Sequence, residues 1–225
     1  MAAQGADFEH ILVDGASSDG TMAIVERYGD HFARVVSELD AGIYDAMNKG
    51  LALAEGDIVG LLNADDFYPA DNVLATVVAA FESDAIDASY GDLRYVAADD
   101  ETRTVRYWRA GPYRRERFYH GWMPPHPTFF VRRELYEECG AYRLDLGSAA
   151  DYELMLRFLL GHRVRAMYIP EVLVHMRAGG ASNRSVAARW RANRNDALAW
   201  KLNGLRPRPW TVLAKPLRKL GQWWV

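Results

Sequence analysis

Asp65 and Asp66 are adjacent carboxylates just beyond an apolar run, Ile58 to Leu62, from which Asn63-Ala64 separates them. Like charges at the end of a buried strand are costly unless a cation or hydrogen-bond donors stand beside them. Hard oxygen ligands of this kind suit Mg2+ or Mn2+ shared with a diphosphate, the cation keeping waters and taking few protein groups. Read alone, the pair also fits a turn whose aspartates bond their own backbone. A second acidic loop, Asp14-Gly15-Ala16-Ser17-Ser18-Asp19-Gly20, follows another apolar run, Phe8 to Val13. By itself it fits turn and capping chemistry too, but two such loops in one layer point to a polar site at strand ends. Asp151 stands in the first turn of a predicted helix, where a carboxylate favours the helix dipole; beside a metal site it can instead act as a general base. His126, between Pro125 and Pro127, and His175, after Val172 to Val174, are candidates for the acceptor or diphosphate side, with packing as the ordinary alternative. Neither has the spacing of a zinc site.

Strands and helices must position these groups. Phe8 to Val13 reads as a strand, and Ser17, Ser18 and Asp19 offer caps for a helix over Thr21 to Tyr28. Tyr44, Met47, Leu51 and Ala54 recur at helical spacing, and Gly56 ends that segment before the strand Ile58 to Leu62. Asp71 can cap a helix over Val73 to Phe81, and Ala88 to Tyr90 leads as a strand into Gly91-Asp92. After Asp99-Asp100 comes an irregular stretch rich in arginine and aromatics, Arg103 to Met123, closed by Pro124-Pro125-His126-Pro127. Helices are expected over Arg133 to Cys139, Ala149 to Leu160 and Val186 to Asn203, each followed by a glycine, Gly140, Gly161 and Gly204. The alternation predicts an α/β layer with a mostly parallel central sheet flanked by helices, its site at the carboxyl ends of the strands.

With 225 residues, half of them hydrophobic, the chain can bury a core, and one main domain with a tail is the default. Its 27 basic and 30 acidic side chains give a formal charge of -3, which creates no field drawing in nucleic acid. A single cysteine, Cys139, forms no internal disulfide and fits a reducing compartment. No apolar run has the length of a membrane span, and the first ten residues lack the pattern of a signal peptide. These features predict a cytoplasmic protein.

Five segments in order resemble family 2 glycosyltransferases of the GT-A fold, especially bacterial enzymes of surface-polysaccharide assembly. They are EHILVDGASSDGT from Glu9, SELDAGIYDAMNKG from Ser37, GLLNADD from Gly60, PHPTFFVRRELYEECGAY from Pro125 and ADYELMLR from Ala150. The resemblance implies an inverting, metal-dependent transfer of a sugar from a nucleotide-diphospho-sugar to an acceptor hydroxyl, the acceptor being a saccharide or a lipid-linked molecule. It implies that Asp14 contacts the base, that Asp40, Asp45, Asn48 and Lys49 lie by the nucleotide-sugar, and that Asp65 faces the ribose or the metal. Asp66 would bind Mg2+ or Mn2+, and Asp151 would be the catalytic base, although Ala150 stands where the family often has a glutamate. A binding or scaffold protein without turnover is one alternative. A nucleotidyltransferase is another, disfavoured because no glycine-rich basic loop is present.

The expected layout is a GT-A domain over 1–204, with a nucleotide-sugar half (1–99) and an acceptor and base half (100–204), then a helical basic aromatic tail over 205–225. After Asp196 no acidic residue follows, and Lys201, Arg206, Arg208, Lys215, Arg218 and Lys219 interleave with Trp200, Trp210, Trp223 and Trp224, a mixture suited to an anionic membrane surface on the inner face of the cell membrane. The family opens with a strand and helix ahead of the segment matched by Glu9 to Thr21. The resemblance therefore implies an N-terminally truncated fold with an interior strand missing.

Overall fold

The computed structural model describes residues 4–179, 186–220 and 222. The chain opens with β1 (Ile11–Asp14), α1 (Thr21–Arg27), a 3-10 turn (Gly29–His31), β2 (Arg34–Ser37) and α2 (Ile43–Leu53). Of the expected caps of α1, Asp19 does the work, its carboxylate accepting the Thr21 backbone N–H at 2.9 Å. β2 has no counterpart among the strands read from sequence. It lies parallel to β1, with Asp14 opposite Ser37.

Next come β3 (Ile58–Val59), β4 (Asp66–Phe67), α3 (Val73–Ala80) and the hairpin of β5 (Ala88–Val96) with β6 (Thr104–Trp108). The expected Asp71 cap is not formed. The N-cap position of α3 is Asn72, with no side-chain bond. Gln4 serves instead, accepting the Leu74 N–H on its side chain at 3.1 Å and the Ala75 N–H on its carbonyl at 3.2 Å, so first-turn donors are satisfied from the start of the chain.

The second half holds β7 (Phe130–Arg132), α4 (Arg133–Cys139), α5 (Ala150–Met155) running into a π turn (Leu156–Gly161), β8 (Ala166–Arg177), α6 (Val186–Leu202) and α7 (Thr211–Leu220). The α/β class is as expected, but the sheet is mixed. β1–β2 and β5–β8 are parallel, whereas β3–β7, β5–β7, β5–β6 and β4–β8 are antiparallel. The reason for β5–β6 is the short connection, which permits a hairpin and no crossover helix. The strands divide into a two-stranded sheet, β1-β2, and a six-stranded sheet ordered β3-β7-β5-β8-β4, with β6 on β5.

The larger core gathers Tyr90, Phe118, Trp122, Leu146, Tyr152, Leu156, Phe158 and Trp200 between β5, the 3-10 turn Arg115–His120, α5 and α6. A smaller one packs α3 on β5 and β8 through Val73, Val77, Leu93 and Leu173. α7 lies across the turn before Trp122. There Gly121 has a left-handed φ of +75°, and a Cβ on it would strike the backbone of Ala214 and Lys215, so only glycine permits the contact. The Lys215 ammonium meets Asp196 at 2.9 Å and sits 3.8 Å from the centre of the Tyr152 ring. The tail is thus partly a packing element. Trp223 and Trp224 lie outside the described residues.

Candidate active site

Asp14 ends β1, and its carboxylate is the hub of the Asp14 to Gly20 loop. It accepts the Ser17 backbone N–H at 2.9 Å, the Ser17 hydroxyl at 2.5 Å and the Ser37 hydroxyl from β2 at 2.7 Å. These donors, Ser17 first, hold its pKa below the usual carboxylate value. Asp40 comes from the next loop to lie against Gly15, where a Cβ would be 2.5 Å from an Asp40 carboxylate oxygen. The two loops therefore meet, and glycine lets them meet. Asp40 also accepts the Gly42 N–H at 2.8 Å.

Asp45 and Lys49 share one face of α2. Asp45 accepts the Ala41 N–H at 3.0 Å, while the Lys49 ammonium reaches Glu38 at 2.8 Å and donates to the Leu39 carbonyl at 2.8 Å; Glu38 first, and then Asp45, raise its pKa. Asn48 points elsewhere. Its amide donates to the Tyr142 carbonyl and accepts the Tyr142 N–H, both at 2.9 Å, a reciprocal bridge between residues far apart in the chain.

Asp65 is exposed and Asp66 buried at the start of β4. One Asp66 carboxylate oxygen accepts the Asn63 side-chain N–H at 2.9 Å, and the other, Oδ1, is buried without a hydrogen-bond partner. Burial pushes the Asp66 pKa up, the Asn63 bond and the nearby His126 oppose this, and Asp65 adds to it. An orphaned buried carboxylate oxygen has what a cation ligand needs, an unshared lone pair and an uncompensated charge. Among the described residues no group of three or more His, Cys, Asp or Glu side chains converges as a metal cage. A site of one or two carboxylates is the kind that Mg2+ occupies when phosphate oxygens and waters complete its shell.

The Pro124-Pro125-His126-Pro127 stretch becomes a 3-10 turn, His126–Thr128, pinned to β5 by the buried Thr128 hydroxyl, which lies 2.9 Å from the carbonyls of Gly91 and Pro125. This aims His126 at Asp151, Nδ1 to Oδ2 at 3.2 Å. The other Asp151 oxygen accepts the Tyr152 backbone N–H at 2.7 Å in the first turn of α5. Tyr44, the second residue of α2, is hydrogen-bonded to Asp151, and burial first and that carboxylate second raise its pKa. Tyr44 stacks on Tyr142 at 5.5 Å. Tyr95 is half-buried within electrostatic reach of both Asp66 and Asp151.

Asp66, His126 and Asp151 therefore converge from three separate segments. His175 does not join them. It is opposite Phe67 across the β4–β8 ladder, and Asp66 is opposite Met176, so the two side chains leave opposite faces of the sheet. The His175 ring meets Phe67 edge-on at 5.3 Å, and burial lowers its pKa.

A family model described as "Glycosyl transferase family 2" matches residues 1–140. The chain belongs to glycosyl transferase family 2. An uncharacterised glycosyltransferase of Mycobacterium tuberculosis (strain ATCC 25618 / H37Rv) is 34% identical over 156 residues, which is 68% of this chain and 57% of the relative. A PGL/p-HBAD biosynthesis glycosyltransferase of Mycobacterium bovis (strain BCG / Pasteur 1173P2) is 30% identical over 185 residues, 80% of this chain and 70% of that protein. The chain thus spans a little over half of the M. tuberculosis relative it matches. Among solved structures, a mannosyltransferase from Pyrobaculum calidifontis in complex with GDP-Man and Mn2+ superposes with a TM-score of 0.59 at 22% identity, over 92% of this chain and 59% of the other. S. aureus TarS 1-349 in complex with UDP gives a TM-score of 0.59 at 20% identity, over 85% and 56%. The fold of this family 2 chain is accordingly GT-A.

Sequence reasoning missed Tyr142, Tyr95 and the buried Asp92, whose carboxylate accepts the hydroxyls of Tyr107 and Tyr168 and the Ala110 N–H at 2.7–2.8 Å. Tyr44 and Tyr142 lie inside quoted family segments, which was the available signal. Asp92 gave only the Gly91-Asp92 dipeptide.

Proposed function

We propose that this family 2 chain transfers a sugar, with inversion, from a nucleotide-diphospho-sugar to the hydroxyl of a saccharide or lipid-linked acceptor. The observation that carries the reading is the convergence of Asp66, with its unpartnered buried oxygen, on His126 and Asp151. The relatives named for sugar transfer and the neighbours that hold GDP-Man or UDP support a donor of the same class.

Asp14 and Asp40, brought together at Gly15, would take the nucleoside end of the donor, and Lys49 and Asp45 would flank it. Asp66, with Asp65, would hold Mg2+ or Mn2+, which when bound offsets the charge growing on the departing diphosphate. Asp151 is the base. As the acceptor oxygen forms its bond to the anomeric carbon and the bond from that carbon to the diphosphate oxygen breaks, the hydroxyl proton passes to the Asp151 carboxylate. His126 and the Tyr152 N–H orient that carboxylate, one on each oxygen. A single displacement of this kind inverts the anomeric centre.

Peripheral contact with an anionic membrane forms part of the proposal. Trp210 is exposed, and Arg206 and Arg208 beside it are exposed as well. Among the described residues no helix is long and apolar enough to cross a membrane.

The test is to incubate the protein and Mn2+ with a panel of GDP- and UDP-linked sugars and measure saturable binding and nucleoside diphosphate release. Pyrophosphate release from a nucleoside triphosphate and a sugar phosphate, supplied in a parallel assay, would instead favour a nucleotidyltransferase. Binding without release when acceptors are supplied would favour the scaffold alternative.

A further inference from the structure

Most basic side chains with a close charged partner in this protein meet acids, as Arg165 meets Asp87, Arg157 meets Glu153 and Lys215 meets Asp196. The stretch between β6 and the His126 turn is different. Among the described residues, no carboxylate pairs with Arg114, Arg117 or Arg218 within salt-bridge distance, yet the three are gathered. Arg114 and Arg117, with Pro112, line an open cavity of about 370 Å³. Arg218 on α7 lies close enough to Arg117 for their charges to repel, as does Arg114.

The Arg117 guanidinium is held in place. It donates to the Pro112 carbonyl at 2.7 Å and lies 4.8 Å from the centre of the Trp122 ring. Gly111, at φ +68°, leaves room for it, since a Cβ there would be 3.1 Å from a guanidinium nitrogen. Burial and then the like charges of Arg218 and Arg114 hold its pKa below the usual guanidinium value. A partly buried cation kept beside two others without an acid is stabilised by any anion that enters. Guanidinium groups, planar and forked, match phosphate oxygens in pairs.

We propose that the cavity lined by Pro112, Arg114 and Arg117 binds a phosphate-bearing anion. The ligand is a phosphate or diphosphate group, carried by a lipid headgroup or by a soluble phosphorylated molecule. Its lining shares no residue with the Asp66, His126 and Asp151 group. It has no carboxylate and so needs no cation to receive phosphate.

The experiment is calorimetric titration of inorganic pyrophosphate into the full chain in excess chelator, alongside sedimentation with vesicles of phosphatidylcholine plus phosphatidylglycerol and with phosphatidylcholine alone. Wild type is expected to bind, Arg114→Gln to bind roughly tenfold more weakly, and Arg114→Gln with Arg117→Gln more weakly still. Asp66→Asn should bind as wild type does, so a failure of the donor reading leaves this result intact. Arg117 packs on Trp122, and if the double variant does not fold, Arg114→Gln alone decides. Pyrophosphate binding with vesicle binding untouched by the variants identifies a soluble phosphate, and variant-sensitive vesicle binding without pyrophosphate binding identifies a headgroup. The proposal is overturned if wild type binds neither probe, or if the arginine variants bind both as well as wild type does.

Discussion

His126 Nδ1 lies 3.2 Å from Asp151 Oδ2, while the other Asp151 oxygen accepts the backbone N–H of Tyr152 at 2.7 Å. Both oxygens are engaged, so the direction in which the carboxylate faces is set before any acceptor arrives. Asp151→Asn should lower turnover by roughly a hundredfold or more with donor affinity little changed, because a base acts on the acceptor proton in the transition state. His126→Ala should lower turnover roughly tenfold, and His126→Gln should recover part of the loss by keeping a side-chain hydrogen bond. Steady-state kinetics with separate donor titrations check this. A collapse of donor affinity at unchanged turnover would make Asp151 a binding residue.

Asp66→Asn should nearly abolish transfer yet leave the fold intact. The same substitution removes a buried charge whose pKa burial has raised, so the melting temperature in chelator should rise modestly. Activity and thermal unfolding measured on one preparation test both signs. Full activity of the variant, or of wild type in chelator, would remove the metal role.

Asn48→Ala should act on stability. Losing the two hydrogen bonds that tie α2 to Tyr142 is expected to cost about 1–3 kcal/mol, since the Tyr142 backbone groups lose their partner. Urea unfolding measures this. Wild-type stability paired with lost donor binding would assign Asn48 to the ligand instead.

The Asp14 carboxyl has a depressed folded pKa, so the folded state binds fewer protons than the unfolded one as pH falls below the ordinary carboxylate range. The stability it contributes is complete above the unfolded pKa and is lost as pH drops through the folded value. Ser37→Ala should raise the Asp14 pKa and move that loss to higher pH. Carboxyl NMR titration of the two proteins is the check.

Trp210→Ala with Arg206→Gln and Arg208→Gln should weaken sedimentation with anionic vesicles and leave folding intact. Removal of 207–225 is a poorer test than the sequence suggests, because it also uncovers Tyr152 and Asp196. Equal vesicle binding by the triple variant and wild type would count against the membrane contact.

The Asp14 to Gly20 loop and the Asp65-Asp66 turn were legible because each follows an apolar run and is built of turn-forming residues. β2 was not, since Arg34 to Ser37 offers only Val35 and Val36 as apolar signal and its pairing with β1 is non-local. The same holds for the site. Asp151 could be named as a carboxylate in a first helical turn, but its meeting with His126 depends on the Thr128 hydroxyl pinning one turn to β5, and no local pattern encodes that. His175 looked equivalent to His126 in sequence. The β4–β8 register separates them, placing His175 on the other face from Asp66.

The β1-β2 sheet, four residue pairs long and separate from the six-stranded one, has a consequence for local opening. Its polar ties to the rest include Glu9, whose carboxylate accepts the Glu55 and Gly56 N–H groups at 2.6 and 2.7 Å, and Arg34 of β2, which pairs with Glu55, while α2 packs on β1 with Gly50 against Val13. A short ladder outside the main sheet exchanges its amide hydrogens through excursions well below the global unfolding free energy. Asp14 ends one of these strands and Asp40 follows the other, so any ligand that clasps both aspartates draws its affinity from the closed form alone. Occupancy and amide protection of Ile11–Asp14 and Arg34–Ser37 must then rise together.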